Sequence, residues 1–362
     1  MIGKLERLRR FYKIKADGYF LYKSENFKLN DLRYLTDFDG STGLFFQTKE
    51  KNYLFVDGRY FEKAKINKKE NLELVLLKKG WEKELNKIVQ KEKIKKIIIE
   101  PYQSFSLVEF LKKKIKARII VSKKPIVLTI RKNKDIEEIK ILRKAQEITD
   151  KIFLDLLNFI KPGKQTEREI AFKIYELAVK KYNCEGLSFE PIVASGSNSS
   201  IPHYRSGDKI IENNQPLLLD FGVIYKGYVS DMTRTLWIGN KIDQDFKKAY
   251  RVVLEAQKRA IERCRFENKI RAKDVDKIAR DYIENHGYKG KFLHSTGHGV
   301  GMDVHEEPVL GPYSKDYLKG MEVVTIEPGI YLEGRFGIRI EDTVLTKDGE
   351  NFTKAPKELI NL

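Results

Sequence analysis

The stretch Leu217-Leu218-Leu219-Asp220-Phe221-Gly222-Val223-Ile224-Tyr225-Lys226-Gly227-Tyr228-Val229-Ser230-Asp231-Met232-Thr233-Arg234-Thr235 decides how this chain is read. Its first apolar run reads as a buried strand, and an aspartate closing such a run is costly unless it is paired or bound to a cation. Lys226-Gly227 is a turn signal between two strand-like runs, which predicts a hairpin. With that turn at the tip, Asp220 opposes Thr233. Asp231 lies two residues further along the same face, so the two carboxylates are diagonal neighbours with Cα atoms about 7–8 Å apart. Both could then reach metal ions ~3.5–4 Å apart.

Working outward, two more acids have similar surroundings. Glu327 closes the apolar run Glu322-Val323-Val324-Thr325-Ile326 and precedes Pro328-Gly329. Glu341 lies in Gly337-Ile338-Arg339-Ile340-Glu341-Asp342, where a period of two puts Arg339 and Glu341 on one face and Ile338 and Ile340 on the other. A guanidinium beside acidic ligands is suited to orienting them. Of the five histidines, three fall in His294-Ser295-Thr296-Gly297-His298-Gly299-Val300-Gly301-Met302-Asp303-Val304-His305. His294 and His298 have the spacing of a helical zinc motif, but the three glycines oppose a helix and the general-base glutamate of that motif is missing. An extended strand and turn is expected instead.

Four carboxylates and an imidazole on converging strands form a hard, oxygen-rich donor set without thiolate. Two divalent cations would balance it, and such ligation favours Mn²⁺, Co²⁺ or Zn²⁺ in a dinuclear site over structural zinc. Metal-assisted hydrolysis is the reaction class such a set serves. A serine hydrolase is the weaker reading: Ser195-Gly196-Ser197 lies near His203, but no GxSxG elbow is present.

The rest of the chain bounds this reading. It has 362 residues, 41% hydrophobic and 11% aromatic, enough for two globular domains and too apolar for a disordered chain. No apolar run approaches the ~20 residues of a membrane helix. The start, basic and without an apolar core, does not resemble a signal peptide, so a cytoplasmic protein is expected. Cys184 and Cys264 are too few and too far apart for a disulfide framework. The net charge is +18 and sits mostly in residues 1–130, which hold 31 basic and 16 acidic residues. That excess is scattered lysine without a nucleic-acid-binding signature, so a solvated surface is expected and nucleic acid is not. Strands are expected over 18–22, 43–47, 53–56, 72–77, 97–99 and 118–121, with helices over 81–90 and 106–114, giving a mixed α/β domain. The polar stretch Arg131-Lys132-Asn133-Lys134-Asp135 places a boundary between 1–130 and 131–362. Beyond it, helices over 135–159 and 166–181, the second opened by a Thr166–Glu169 capping box, are echoed by helices over 243–265 and 272–285. Each pair precedes a strand-rich segment, a weak internal duplication.

Asp220-Phe221-Gly222, Asp231-Met232-Thr233-Arg234-Thr235, Gly297-His298-Gly299-Val300-Gly301, Glu327-Pro328-Gly329 and Arg339-Ile340-Glu341-Asp342, in this order, resemble the pita-bread metallopeptidases: aminopeptidase P, prolidase and methionine aminopeptidase. Phe189-Glu190-Pro191-Ile192-Val193-Ala194-Ser195-Gly196 and Pro202-His203 match as well. Leu32-Arg33-Tyr34-Leu35-Thr36, Gly40-Ser41-Thr42-Gly43 and Val56-Asp57-Gly58-Arg59-Tyr60 resemble the N-terminal domain of the proline-specific branch, which includes creatinase. The chain departs from that branch at Asp37, where glycine is expected, and at Arg265-Phe266-Glu267-Asn268, where relatives often carry Pro-Gly.

The resemblance implies an α+β fold, with a pita-bread catalytic domain behind a smaller creatinase-type α/β domain. It implies two divalent ions held by Asp220, Asp231, His298, Glu327 and Glu341, with Asp220 bidentate and Asp231 and Glu341 bridging. Glu327 would also shuttle a proton, and His203 and His305 would donate hydrogen bonds to the scissile carbonyl oxygen. His294 and Arg339 would support the site, while His286 reads as an ordinary helix C-terminal residue. The implied activity is an Xaa-Pro aminopeptidase acting on short peptides with proline second. A strict Xaa-Pro dipeptidase needs a cation for the substrate carboxylate; some prolidases have Arg after the HExP segment, where this chain has Val309, and Arg335 is the substitute candidate. A non-catalytic pita-bread binding protein is the remote alternative, and creatinase lacks a positive signal. The branch also implies a homodimer, with the N-terminal domain closing over the active site of the other subunit.

Overall fold

The computed structural model describes residues 3–25, 29–66, 69–265 and 269–362. They form two compact units, Met1–Arg131 and Lys132–Leu362.

The first unit is built on strands β1 (Gly18–Lys23), β2 (Gly43–Gln47), β3 (Asn52–Val56), β4 (Glu73–Leu76), β5 (Lys96–Ile99) and β6 (Arg118–Val121) in the order β4-β3-β2-β1-β5-β6. β1, β2 and β3 pair antiparallel, and the outer pairs are parallel. Parallel neighbours need a crossover. Three helices supply these: α3 (Phe61–Ile66) between β3 and β4, α4 (Trp81–Lys91) before β5, and α5 (Phe105–Lys114) before β6, the last capped by Ser104. Helices α1 (Lys4–Tyr12), α2 (Asp31–Thr36) and α6 (Ile126–Arg131) complete the unit and, like α3, are not among the helices expected from the sequence. Phe20, Phe46, Phe55, Ile97 and Ile99 of the sheet bury one face against Leu85, Val89, Val108 and Leu111 of α4 and α5. Asp37 follows α2 in a left-handed conformation (φ 60°), the position a helix end prefers to give to glycine. That accounts for the glycine expected there, and a short polar side chain tolerates it. The other departure, at Phe266-Glu267-Asn268, lies outside the described residues.

The polar stretch at 131–135 is not solvated. Arg131 is buried and its guanidinium lies 2.6 Å from the buried Asp31 carboxylate. Lys134, also buried, pairs with Glu306 at 3.0 Å. Asp135 caps the next helix and exchanges hydrogen bonds with Glu138 in a capping box.

The second unit opens with α7 (Ile136–Phe159) and α8 (Glu167–Glu176), and Thr166 and Glu169 form the expected capping box of α8. The helix read to 181 loses its α-form after Glu176 and widens into a π turn, Leu177–Lys181. Strands β7 (Gly186–Leu187), β8 (Ile192–Ser195), β9 (Gln215–Phe221), β10 (Val223–Tyr225), β11 (Tyr228–Val229) and β12 (Met232–Ile238) follow. Then come α9 (Gln244–Arg263), capped by Asp243, and α10 (Ala272–Ile283), with β13 (Ile270–Arg271) between them. The chain continues through β14 (Gly297–Gly299), β15 (Glu306–Leu310), β16 (Tyr317–Leu318), β17 (Val323–Ile326), β18 (Gly329–Leu332), β19 (Phe336–Arg339) and β20 (Asp342–Leu345).

Two antiparallel sheets carry this unit, and their strand orders correspond: β12-β9-β8 in the first half and β20-β17-β14 in the second. Each backs onto its own helix pair. Residues of α7 and α8 such as Ile152, Phe153 and Ile170 pack with Leu217, Leu219 and Met232. Phe246, Val253 and Val275 of α9 and α10 pack with Val324, Ile326 and Val344. The internal duplication is thus a repeat of architecture: helix pair, then sheet. It is weak in sequence because the apolar faces need only volume and periodicity, not identity.

Candidate metal centre

The β9–β12 hairpin has the register expected of it: Thr233 faces Asp220, and Tyr225 faces Tyr228 across the Lys226-Gly227 turn. Both turn residues take positive φ (49° and 76°), which suits a tight hairpin. Between β9 and β10 the chain passes so close to Ser230 that a Cβ at Gly222 would lie 1.8 Å from the Ser230 carbonyl oxygen. In the second half, a Cβ at Gly297 would lie 1.9 Å from the Thr325 carbonyl oxygen. Glycine there lets β14 pack on β17 and sets His298 beside Glu327. The stretch is extended, as the glycines implied.

Asp220 is the last residue but one of β9 and Glu327 directly follows β17, the central strands of the two sheets, and Asp231 and Glu341 stand just before the third strands. The repeat therefore brings all four carboxyl groups together. Asp220, Asp231 and Glu341 are buried, and Asp231, His298 and Glu341 each offer a ligand atom, all within 4.8 Å of one another. His298 Nε2 lies 3.3 Å from Glu327 Oε1 and 3.8 Å from Asp231 Oδ2. The ring's other nitrogen, Nδ1, donates to the Gly299 carbonyl at 3.1 Å. A neutral ring so held presents the Nε2 lone pair to the carboxylates, a clash of acceptors that only a proton or a metal cation resolves.

The remaining electrostatics agree. Burial and the neighbouring carboxylates push Asp231 and Glu341 well above the usual carboxyl range, and Asp220 is raised by burial as well. Burial also opposes ionisation of Glu327, but the His298 hydrogen bond and the positive charges of His298, His294 and Arg339 hold it down to about 2. Asp220 Oδ1 and Glu341 Oε1 are buried without a hydrogen-bond partner. Buried carboxylate oxygens left unmatched around one imidazole fit a divalent-cation site.

Around this centre runs a network. Arg339 Nη2 donates to Asp220 Oδ2 at 2.6 Å, Nε to Thr233 Oγ1 at 3.0 Å, and Nη1 to the Tyr331 hydroxyl at 2.8 Å. Thr233 Oγ1 donates to Glu341 Oε2 at 2.7 Å. Tyr331 lies 2.8 Å from His294 Nε2, whose Nδ1 donates to the Ser295 carbonyl at 2.9 Å, so the tyrosine hydroxyl donates to the ring. Burial lowers the His294 pKa. The sequence reading missed Tyr331 and the bridging role of Thr233. The diagonal-neighbour rule that paired Asp220 with Asp231 could have found Tyr331, since Arg339 faces Gly329 and Tyr331 is two residues along.

His305 is exposed, and its ring lies edge-on to His298 with centroids 4.4 Å apart. Burial and then the His298 charge lower its pKa. The loop carrying it folds around Glu306, which accepts from Met302 N at 2.8 Å and Asp303 N at 3.1 Å and pairs with Lys134. His203 is exposed, and its charge acts on both His294 and His305. His286 does not join the group: its ring hydrogen-bonds the Tyr282 carbonyl at 2.7 Å near the end of α10. Ser195 is buried with its hydroxyl on Glu167, so it is not presented as a nucleophile. Arg335 sits in the turn between β18 and β19, at the opposite end of that hairpin from Arg339, and pairs with Asp245 at 2.9 Å. No helix among the described residues is long and apolar enough to cross a membrane.

Comparison with known proteins gives this geometry a family. Residues 140–348 match Metallopeptidase family M24, and residues 4–132 match the Creatinase/Prolidase N-terminal domain. The chain is 41% identical over 264 residues to the Xaa-Pro dipeptidase of Pyrococcus furiosus, covering 72% of this chain and 74% of that one. Among solved structures, the Xaa-Pro dipeptidase from Bacillus anthracis is 36% identical with a TM-score of 0.90, covering 99% of both chains. The X-Pro aminopeptidase from Thermotoga maritima MSB8 is 34% identical with a TM-score of 0.89, covering 98% of this chain and 100% of that one. The pita-bread architecture expected from the sequence is the one these structures share, and the chain belongs to Metallopeptidase family M24, with a creatinase/prolidase N-terminal domain ahead of the catalytic unit.

Proposed function

We propose that this metallopeptidase is an Xaa-Pro aminopeptidase that releases the residue preceding proline from short peptides. The observation carrying the chemistry is the grouping of Asp231, His298 and Glu341 within 4.8 Å, with Glu327 3.3 Å from His298 and unmatched buried oxygens on Asp220 and Glu341. These five residues would hold two divalent ions, Mn²⁺ being our first choice. Bound there, such ions would supply Lewis acidity, to water and to the scissile carbonyl. Glu327, held as a carboxylate, takes the proton from the attacking water. It delivers that proton to the proline nitrogen, which has no hydrogen of its own and must gain one as the C–N bond breaks. His203 and His305 donate hydrogen bonds to the carbonyl oxygen as it gains charge. Arg339 favours the ionised form of Asp220 against the burial that opposes it and orients its carboxylate, and Tyr331 fixes the ring of His294.

For substrate length, the engagement of Arg335 with Asp245 supports the aminopeptidase reading, because that guanidinium is committed away from Arg339 and its neighbours. The strict dipeptidase is the second reading, favoured by the names of two of the relatives above. Hydrolysis of Xaa-Pro against Xaa-Pro-Yaa peptides, with and without Mn²⁺, separates them: cleavage of dipeptides alone would overturn our choice. We also propose that the protein is a cytoplasmic homodimer in which the N-terminal unit restricts access to peptide ends. Lysines of that unit pair with local acids, as Lys51 does with Glu73 and Lys63 with Asp39, which supports a solvated surface over a nucleic-acid interface. Sedimentation of the intact chain tests the dimer.

A further inference from the structure

Glu167 takes no part in the chemistry above, yet it is fully buried at the start of α8. Its Oε1 accepts hydrogen bonds from Ser195 N (2.8 Å), Ser195 Oγ (2.8 Å) and Asn198 Nδ2 (2.9 Å). Its Oε2 accepts from the Tyr204 hydroxyl (2.8 Å) and Gly207 N (3.2 Å). All five donors belong to one segment, 195–207, which leaves the end of β8 and returns toward α8. His203 sits inside that segment, directly before Tyr204. Its ring is exposed and makes no hydrogen bond among the described residues. An exposed ring without a partner takes its position from the backbone that carries it, and this backbone is gathered on the Glu167 carboxylate. The far side of the loop is tied to the metal centre itself, since Arg339 Nη1 reaches the Pro202 carbonyl at 3.4 Å.

We infer that Glu167 is a positioning residue for His203, fixing the distance between its imidazole and the scissile carbonyl. The inference rests on the proposed role of His203 as a hydrogen-bond donor in peptide hydrolysis. A carboxylate suits the task because its two oxygens offer about four lone-pair sites, twice those of a hydroxyl, and the five donors share them. The amide of Glu167→Gln keeps one oxygen but turns the other into a donor facing the Gly207 N–H. The loop then shifts, and misplacement on the scale of an ångström costs up to about 10²-fold in rate.

The test is a double-mutant cycle on the metal-loaded enzyme with an Xaa-Pro substrate. Glu167→Gln is expected to lower kcat about 10–10²-fold, with KM and metal content unchanged. In a His203→Ala background it should cause no further fall, because a residue acting only through His203 has nothing left to act on. Equal falls in both backgrounds would overturn the inference and leave Glu167 a general structural residue. A second readout does not depend on turnover. With five histidines in the chain, imidazole NMR of the Zn²⁺-loaded protein resolves each ring. Glu167→Gln should move the His203 signals most, with any smaller response confined to its electrostatic neighbours His294 and His305, and leave those of His286 and His298 in place; shifts spread over all five would also overturn it. If the wild-type chain cleaves no Xaa-Pro bond, the functional reading fails while the NMR result still decides the positioning. Should Glu167→Gln not fold, Tyr204→Phe removes the donor next to His203 and is expected to give the same pattern at smaller amplitude.

Discussion

Buried carboxylates occur in both units, and their surroundings differ. In the N-terminal unit Asp31 is met by Arg131 and the Tyr102 hydroxyl. Glu100 accepts from the Tyr19 hydroxyl (2.7 Å) and from the backbone N–H groups of Ile126 (2.8 Å) and Val127 (2.9 Å) at the start of α6. In the catalytic unit Asp220, Asp231, Glu327 and Glu341 face one another, and two of their buried oxygens have no partner. The first arrangement is matched within the chain and serves the fold. The second is left short of positive charge at some expense in stability, which marks it as a place where something else binds. Burial of an acid is therefore not diagnostic by itself; how completely the chain neutralises it is.

The largest expected effect tests this directly. Asp231→Asn or Glu341→Gln should abolish metal retention and lower turnover by more than the ~10²–10³-fold that loss of one charge-stabilising donor costs, as read by metal analysis and steady-state kinetics. The same Asp231→Asn change should raise the stability of the metal-free protein, by about 0.5–2 kcal/mol, because it removes a buried carboxyl whose ionisation its neighbours oppose. A fall in metal-free stability would break the comparison. Next, His203→Ala and His305→Ala should retain the metal and lower kcat by about 10²–10³-fold; metal loss in either would show that these rings belong among the ligands.

The N-terminal unit should respond with the opposite sign. Arg131→Met takes away the guanidinium that meets the buried Asp31 carboxylate and should cost about 3–5 kcal/mol in denaturant unfolding, with metal content unchanged. The smallest effect is a pH dependence. Burial raises the Glu100 pKa to about 7 against the tyrosine and backbone donors that lower it. A group raised on folding contributes stability that is complete below its unfolded pKa and lost as pH rises through the folded value. Between about pH 4.5 and 7 the contribution of Glu100 should therefore decline, by at most about 3 kcal/mol. Glu100→Gln should flatten that part of the urea-midpoint profile, and an unchanged slope would remove Glu100 as its cause.

Much of the catalytic unit was legible before any coordinates. The register of Asp220 against Thr233 followed from counting back from Lys226-Gly227, since hairpin pairing has a fixed arithmetic once the turn is known. Strands β2 and β6 were bounded correctly because β-branched and aromatic runs meet abrupt glycine or charged borders there. The short helices α2, α3 and α6, six residues each, were not legible, because a single turn and a half holds too little periodicity to detect. Arg131 and Lys134 were read as part of a polar boundary because their partners, Asp31 and Glu306, lie 100 and 172 residues away in sequence. Tyr331 was missed for a different reason: an aromatic in an apolar strand looks like core until its hydroxyl is seen between Arg339 and His294.

The repeated sheets have one more consequence. Aligning Asp220 with Glu327 aligns Leu218, which pairs with Ala194, with Thr325, the residue next to Val324, which pairs with Gly299. By that correspondence Ala194 occupies in the first half the place His298 occupies in the second. Each half thus contributes two carboxyl groups, and the second alone contributes an imidazole. The donors from the first half are carboxylates alone and those from the second are carboxylates and an imidazole, so the first half supplies the harder ligands and the second the softer. A single methyl group standing opposite an imidazole ring is enough to give an otherwise duplicated centre a left and a right.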